Sequence, residues 1–420
     1  MTAAAVQKAV APAARVPAAP AARAQAAPAA RAQAADPVDQ ALRLQALLGH
    51  HSVLVADMMR SRLRGEPDFA QAADAALGRN TEAMGELVSE MFGADAAAAF
   101  TPVWGTHVTA LFNYARGIAD DDDAVRADAR KVLQRYEKDL STFFAGASKG
   151  RLKQADAQAA LVGHVKHMIG QAEAYDAGDH KRYWTLQRES FAHTIAIGRT
   201  LSGTLLPPAA VAKLKLPENR LESEMSRLLG EHVTLVVATT RARLTDGPDF
   251  AAAAAAMDAN TADLAGAIDA LYGGPAAQQF ESMWADHLDG MVAYATARAA
   301  DDAAAISAAQ AELGAFEGKL AKFLSGATEQ RLPADALADA FSMHDKMLTE
   351  QIDEFAAKNY GPAHNRAYET YEHMGALARQ LSDAIGSTVA ARLPQGGAQT
   401  GGGGMATFVE RDLTCRVLAE

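Results

Sequence analysis

The sequence predicts an all-α protein of two homologous up-down bundles in tandem, about six helices each, between a disordered N-terminal arm and a Gly-rich C-terminal tether. Three observations predict it. Apolar residues recur at helical spacing through long segments of a chain that is 49% hydrophobic but only 6% aromatic, and rich in alanine. Strand signals are missing: there are no alternating β-branched runs and no Asn-Gly hairpins. And one pattern occurs twice. FTPVWGTHVTALFNY, from Phe100 through Trp104 and His107 to Tyr114, returns as FESMWADHLDGMVAY, from Phe280 through Trp284 and His287 to Tyr294, shifted by 287 − 107 = 180 residues. In both copies the four named residues share one stripe of a helix.

Residues 1–38 form the arm. Arg15, Arg23 and Arg31 recur every eight residues, proline is frequent, and no acid precedes Asp36. Such a stretch buries almost nothing and is expected to be disordered. It lacks the apolar centre of a secretory signal, so a chain starting at Met1 is expected to be cytoplasmic, and a missing upstream signal would make it exported or cell-envelope.

The first bundle spans 39–205. Helix 1 carries Leu44, Leu47, Leu48, His51, Val55 and Met58. Helix 2 starts after a Gly65/Pro67 turn with Asp68 as its N-cap and stops at Gly93. Helix 3 holds the opening motif, and the cluster Asp120 to Asp123 starts helix 4. Helix 5 begins near Asp156, and Gly178-Asp179 separates it from helix 6, which starts near His180.

Pro207, Pro208 and Pro217 mark a linker over 206–219. The second bundle, 220–385, replays the first. LLGxH recurs as Leu47 to His51 and Leu228 to His232; Arg60/Arg62 match Arg241/Arg243, Pro67-Asp68-Phe69 match Pro248-Asp249-Phe250, and Asn80-Thr81 match Asn260-Thr261. A Gly-rich linker, 386–404, then leads to a short apolar peptide, 405–420, suited to docking on a protein partner.

A net charge of −11 without a basic, aromatic-interleaved face argues against nucleic acid. A single cysteine, Cys415, excludes an internal disulfide and a Cys-based zinc site. No run reaches the ~18–20 apolar residues of a membrane helix. HExxH, P-loop and GxGxxG motifs are absent.

The chemistry lies in the histidines. Of 12, eight form four pairs in register: His51 with His232, His107 with His287, His164 with His344, and His193 with His373. They stand on helices 1, 3, 5 and 6. Glu189 and Glu369, four residues before His193 and His373, are matched too, and an i, i+4 pair shares a helix face. Gln171/Gln351 and Tyr114/Tyr294 extend the polar set along the same interior. Inward imidazoles need partners, because an unpaired buried polar group costs ~1–3 kcal/mol. A transition metal held by four His, or by three His and a Glu, would supply them. The Glu could instead fix a ring tautomer from behind. The alternatives are a hydrogen-bonded network that pins packing and a small-ligand or catalytic pocket. Nitrogen donors speak against Mg²⁺ and Ca²⁺, and no CxxCH points to haem. Copper or zinc is expected, with iron admissible. Trp104 and Trp284 are expected in the core, and Arg60, Arg62, Arg241 and Arg243 on a solvated face near a helix C-terminus.

The series LLGxH, N-T, FxxxWxxHxxxxxxY, HxxxM or HxxM, and ExxxHT or ExxxHM resembles tandem His-bearing helical proteins of high-GC bacteria, some labelled copper-amine-oxidase-like. The label implies no such activity here, since that chemistry needs a β-rich fold and an oxidisable Tyr motif. In general design, a bundle with inward histidines also resembles hemerythrin-type proteins, whose ligand spacing differs. The expected function is transition-metal binding, buffering or sensing, with one His-rich site per bundle. The competing readings are a structural or interaction protein with a His-pinned core, and a metal-dependent oxidoreductase.

Overall fold

Local signals start and stop the helices. The computed structural model describes residues 36–392, which form thirteen helices and no strand. The helices are α1 (Pro37–Leu63), α2 (Pro67–Phe92), α3 (Ala94–Ala119), α4 (Asp123–Ala147), α5 (Gln154–Asp176), α6 (His180–Leu205), α7 (Pro208–Leu214), α8 (Pro217–Leu244), α9 (Phe250–Tyr272), α10 (Gly274–Ala299), α11 (Ala303–Ala327), α12 (Ala334–Ala356) and α13 (Tyr360–Arg392). Asp122 and Asp302 cap α4 and α11 in the same way, each accepting hydrogen bonds from two backbone N–H groups of the first turn. Gly93 and Gly273 end α2 and α9 at φ 91° and 86° with extended ψ, a region that only glycine enters without strain, so the next helix starts at once.

The helix contacts define a ring. The inner helices α1, α3 and α5 all touch one another. The outer helix α2 bridges α1 and α3, α4 bridges α3 and α5, and α6 bridges α5 and α1. The second half repeats this arrangement with α8, α10 and α12 inside and α9, α11 and α13 outside. Because short connections reverse the chain between neighbours, the inner three run parallel. The glycine of LLGxH serves this packing. A Cβ on Gly49 would come within 2.8 Å of Ile195, and one on Gly230 within 3.0 Å of the Tyr371 ring. Asn80 and Asn260 donate to the Leu47 and Leu228 carbonyls, tying each second helix to the first.

The halves are not isolated beads. Residues 36–392 lie within one compact unit, with α1 against α8, α2 against α13 and α6 against α9. Here the sequence reading needs correction. Arg60 and Arg241 are buried between the halves, not on a solvated face. Asp57 bonds Arg60 at 2.7 Å and Arg241 at 3.2 Å, while Asp249 reaches Arg60 at 3.3 Å. Burial lowers Arg241 to about 10 against the pull of Asp57, so it stays cationic at neutral pH. Its guanidinium faces the Phe69 and Phe355 rings, and that of Arg60 faces Tyr183 and Trp184. Arg62 and Arg243 remain half-buried.

Other boundaries also shift. Asp68 does not cap α2, because Pro67 already occupies the first turn; Asp68 lies inside that turn, where its charge suits the dipole. The segment 206–219 is not a plain linker. It contains α7 and the start of α8, since Pro208 and Pro217 fall at first-turn positions that proline favours. α13 runs through Arg392 rather than ending near Ile385. No helix among the described residues is long and apolar enough to cross a membrane. Most of the N-terminal arm, the Gly-rich segment from 393, the C-terminal peptide and Cys415 lie outside the described residues.

Removing one partner of a buried ion cluster leaves uncompensated charge. Asp57→Ala, which strands Arg241 and leaves Arg60 only Asp249, is expected to lower stability by about 3–5 kcal/mol in urea unfolding. Lys131→Ala, which breaks an exposed pair with Asp128, should change it by less than ~0.5 kcal/mol. Equal effects would contradict this account of the interface.

Candidate metal centres

The ring geometry decides which side chains meet. A residue on the inward face of an inner helix points at the axis of its trio, whereas a residue on an outer helix does not. His51, His107 and His164 stand near the middle of α1, α3 and α5, and their ring nitrogens come within 4.8 Å of one another. His232, His287 and His344 do the same on α8, α10 and α12. All six are buried, none more than 5% exposed.

In the first half, His51 Nε2 and His107 Nε2 are 3.1 Å apart. His107 Nδ1 bonds the Trp104 carbonyl one turn back. A carbonyl only accepts, so Nδ1 carries the proton and the Nε2 lone pair of the neutral ring points at the axis. The His107 ring stacks on Tyr136 at 4.2 Å, and Trp104 packs against His51 at 4.5 Å. His51 Nδ1 and both nitrogens of His164 have no hydrogen-bond partner among the described residues. In the second half, His287 stacks on Phe316 at 4.5 Å and Trp284 packs against His232 at 4.7 Å. There, both nitrogens of His232 and of His344 lack a partner.

Burial drives these imidazoles towards neutrality. It lowers His107 and His287 to about 3. For His51, His164, His232 and His344, burial and then the neighbouring imidazoles push the pKa well below the usual 6.5. A neutral imidazole with a free lone pair is the metal-binding form.

The fourth matched pair stays outside. His193 lies on α6 and His373 on α13, both outer helices. Their Nε2–H groups donate to the Ala160 and Ala340 carbonyls, clamping α6 to α5 and α13 to α12. Glu189 and Glu369 share the faces of those histidines and are therefore exposed at the rim, Glu369 paired with Arg366. None of these four joins the clusters. Tyr114 and Tyr294, two helical turns along from His107 and His287, or roughly 10 Å, bond Glu173 and Asp353 near the bundle ends. Gln351 joins Thr240 and Arg241 instead of the histidines, and Gln171 is buried without a partner.

One difference between the centres is a buried carboxyl without a counterpart. Asp345, 3% exposed, puts its carboxyl 3.6 Å from His287 Nδ1. Burial and the adjacent Glu317 push its pKa well above the usual range. The first half has Val165 there. Set against known protein families, curated proteins and solved structures, the chain matches none.

The buried imidazoles make stability pH-dependent. Below pH 6.5 the unfolded chain takes up a proton at each of the six, while the folded chain does not until about pH 3 for His107 and His287. Stability is therefore fully present above 6.5 and falls as pH drops, by roughly 1 kcal/mol per pH unit for each group. The urea midpoint of metal-free protein is expected to drop steeply from pH 7.5 to 5.5. A flat profile would mean that the folded protein takes up these protons.

Proposed function

We propose that this chain is a duplicated transition-metal-binding protein, holding one copper or zinc ion on each inner trio for metal buffering or sensing. The observation that carries the reading is the convergence of three buried imidazoles from three parallel helices, in both halves, with His164, His232 and His344 hydrogen-bonded at neither ring nitrogen among the described residues. Leaving such nitrogens unpaired costs ~1–3 kcal/mol each. One ion bound by three of them removes that cost together. The 3.1 Å between His51 Nε2 and His107 Nε2 is close to the roughly 3.3 Å that separates two nitrogens at ~2.0–2.1 Å from a tetrahedral ion.

A packing network is the weaker reading. Such a network persists because its members bond one another, yet His232 and His344 have no hydrogen bond at either nitrogen. Among metals, soft or borderline ions suit an all-imidazole set, and Mg²⁺ and Ca²⁺ do not. Charge refines the choice. The cost of burying an ion rises with the square of its charge, so the neutral, valine-flanked first centre favours copper(I). The second, with Asp345 beside His287, can also balance a divalent ion.

Elemental analysis after copper or zinc loading is expected to give two equivalents per chain. His107→Ala and His287→Ala should each remove about one equivalent, and the double variant nearly all. His193→Ala should remove none. An unchanged content in the double variant, or no retained metal in the parent, would sink the reading.

A further inference from the structure

Two of the differences between the halves fall in the lining of a cavity beside the second trio. Where the first half has Leu87, fully buried, the second has Ala267, which removes three carbons from the interior. Where the first has Val165, the second has Asp345. Beside the second trio lies a cavity of about 40 Å³. His287, His344 and Asp345 form its polar wall, and Leu264, Ala267 and Trp284 are among the apolar and aromatic side chains around the rest. A water-sized sphere needs roughly 10–15 Å³ on this measure. The space therefore suits a molecule of two heavy atoms and is too small for an organic substrate. Cavities with mainly apolar walls stay dry and take up uncharged guests.

We infer that the second centre is open: the cavity beside His287 and His344 admits one small uncharged diatomic molecule to the metal, while Leu87 and Val165 keep the first centre closed. Three imidazoles leave a coordination position free, and a free position is what separates a metal that reacts from one that is only stored. The second trio has space beside that position, and Asp345 lines it. The chain would then combine a closed holding centre and a ligand-binding centre built from one duplicated plan. This rests on the metal reading for the ligand's partner, but the cavity does not depend on it.

Two probes separate the two ideas. With reduced, copper-loaded protein, carbon monoxide followed by its infrared stretch is expected to bind at one equivalent per chain. Ala267→Leu should abolish it while leaving two copper equivalents, and Leu87→Ala should add a second. Asp345→Val should move the band without changing the stoichiometry. Two equivalents or none in the parent, with both coppers retained, would overturn the inference. In metal-free protein, xenon followed by its own NMR resonance is expected to fill one site that Ala267→Leu removes, and failure to do so would overturn it as well. If the parent retains no copper, the metal reading fails and the xenon result alone decides on the cavity.

Discussion

Three parallel helices in mutual contact bury their shared axis, and everything polar placed there must find its partner within the protein or in a guest. That constraint governs both halves. In α1, α3 and α5, and again in α8, α10 and α12, the axis is occupied by imidazoles backed by tryptophan and stacked on Tyr136 or Phe316. The surroundings are apolar enough to hold the rings neutral. The same dryness that makes unpaired ring nitrogens costly would make a bound cation costly, so the charge of any ion and of its neighbours would matter more here than in a solvated site.

The outer helices do different work. They fill the grooves between inner helices and provide the surfaces on which the halves meet. Between the halves, polar groups are satisfied by opposite charge rather than by a guest: Arg60 and Arg241 share Asp57, and Asp249 reaches across from α9. Asp57 has no acidic counterpart in the second half, where Ala238 stands. The cluster is thus asymmetric, and it defines one relative placement of two similar surfaces. A purely apolar contact between α1 and α8 would tolerate sliding. A shared carboxylate between two buried guanidinium groups does not, because displacement strands charge in the interior.

Much of this was legible in the residues. The helices and the inner-face histidines follow from periodicity and from the 180-residue register. What the register could not separate was inner from outer. His193 and His373 are matched as well as His107 and His287, yet they sit on helices that never reach an axis. Helix order held the missing signal, because odd-numbered helices of a six-membered ring face its centre and even-numbered ones do not. Glu189 and Glu369 misled for the same reason: an i, i+4 pair shares a face, but the spacing does not say where that face points. The buried arginines were misjudged because a helix terminus is usually solvated, and here the other half covers it. Asp345 escaped notice because it has no match.

That last point bears on what matching and unmatched residues of the two halves report. Matched residues report what both halves need: the glycine that lets α1 approach α6, the asparagine that holds α2 to α1, the three imidazoles. Unmatched residues inside an otherwise matched core report where the requirements part. Replacing Leu87 by alanine forfeits packing, and large-to-small changes in a core cost roughly 2–5 kcal/mol when the gap does not close. Placing Asp345 where Val165 packs buries a polar group that must be compensated. Two such costs fall in the lining of one cavity, beside the same pair of imidazoles, His287 and His344. They are what a closed site would need to change in order to let something in.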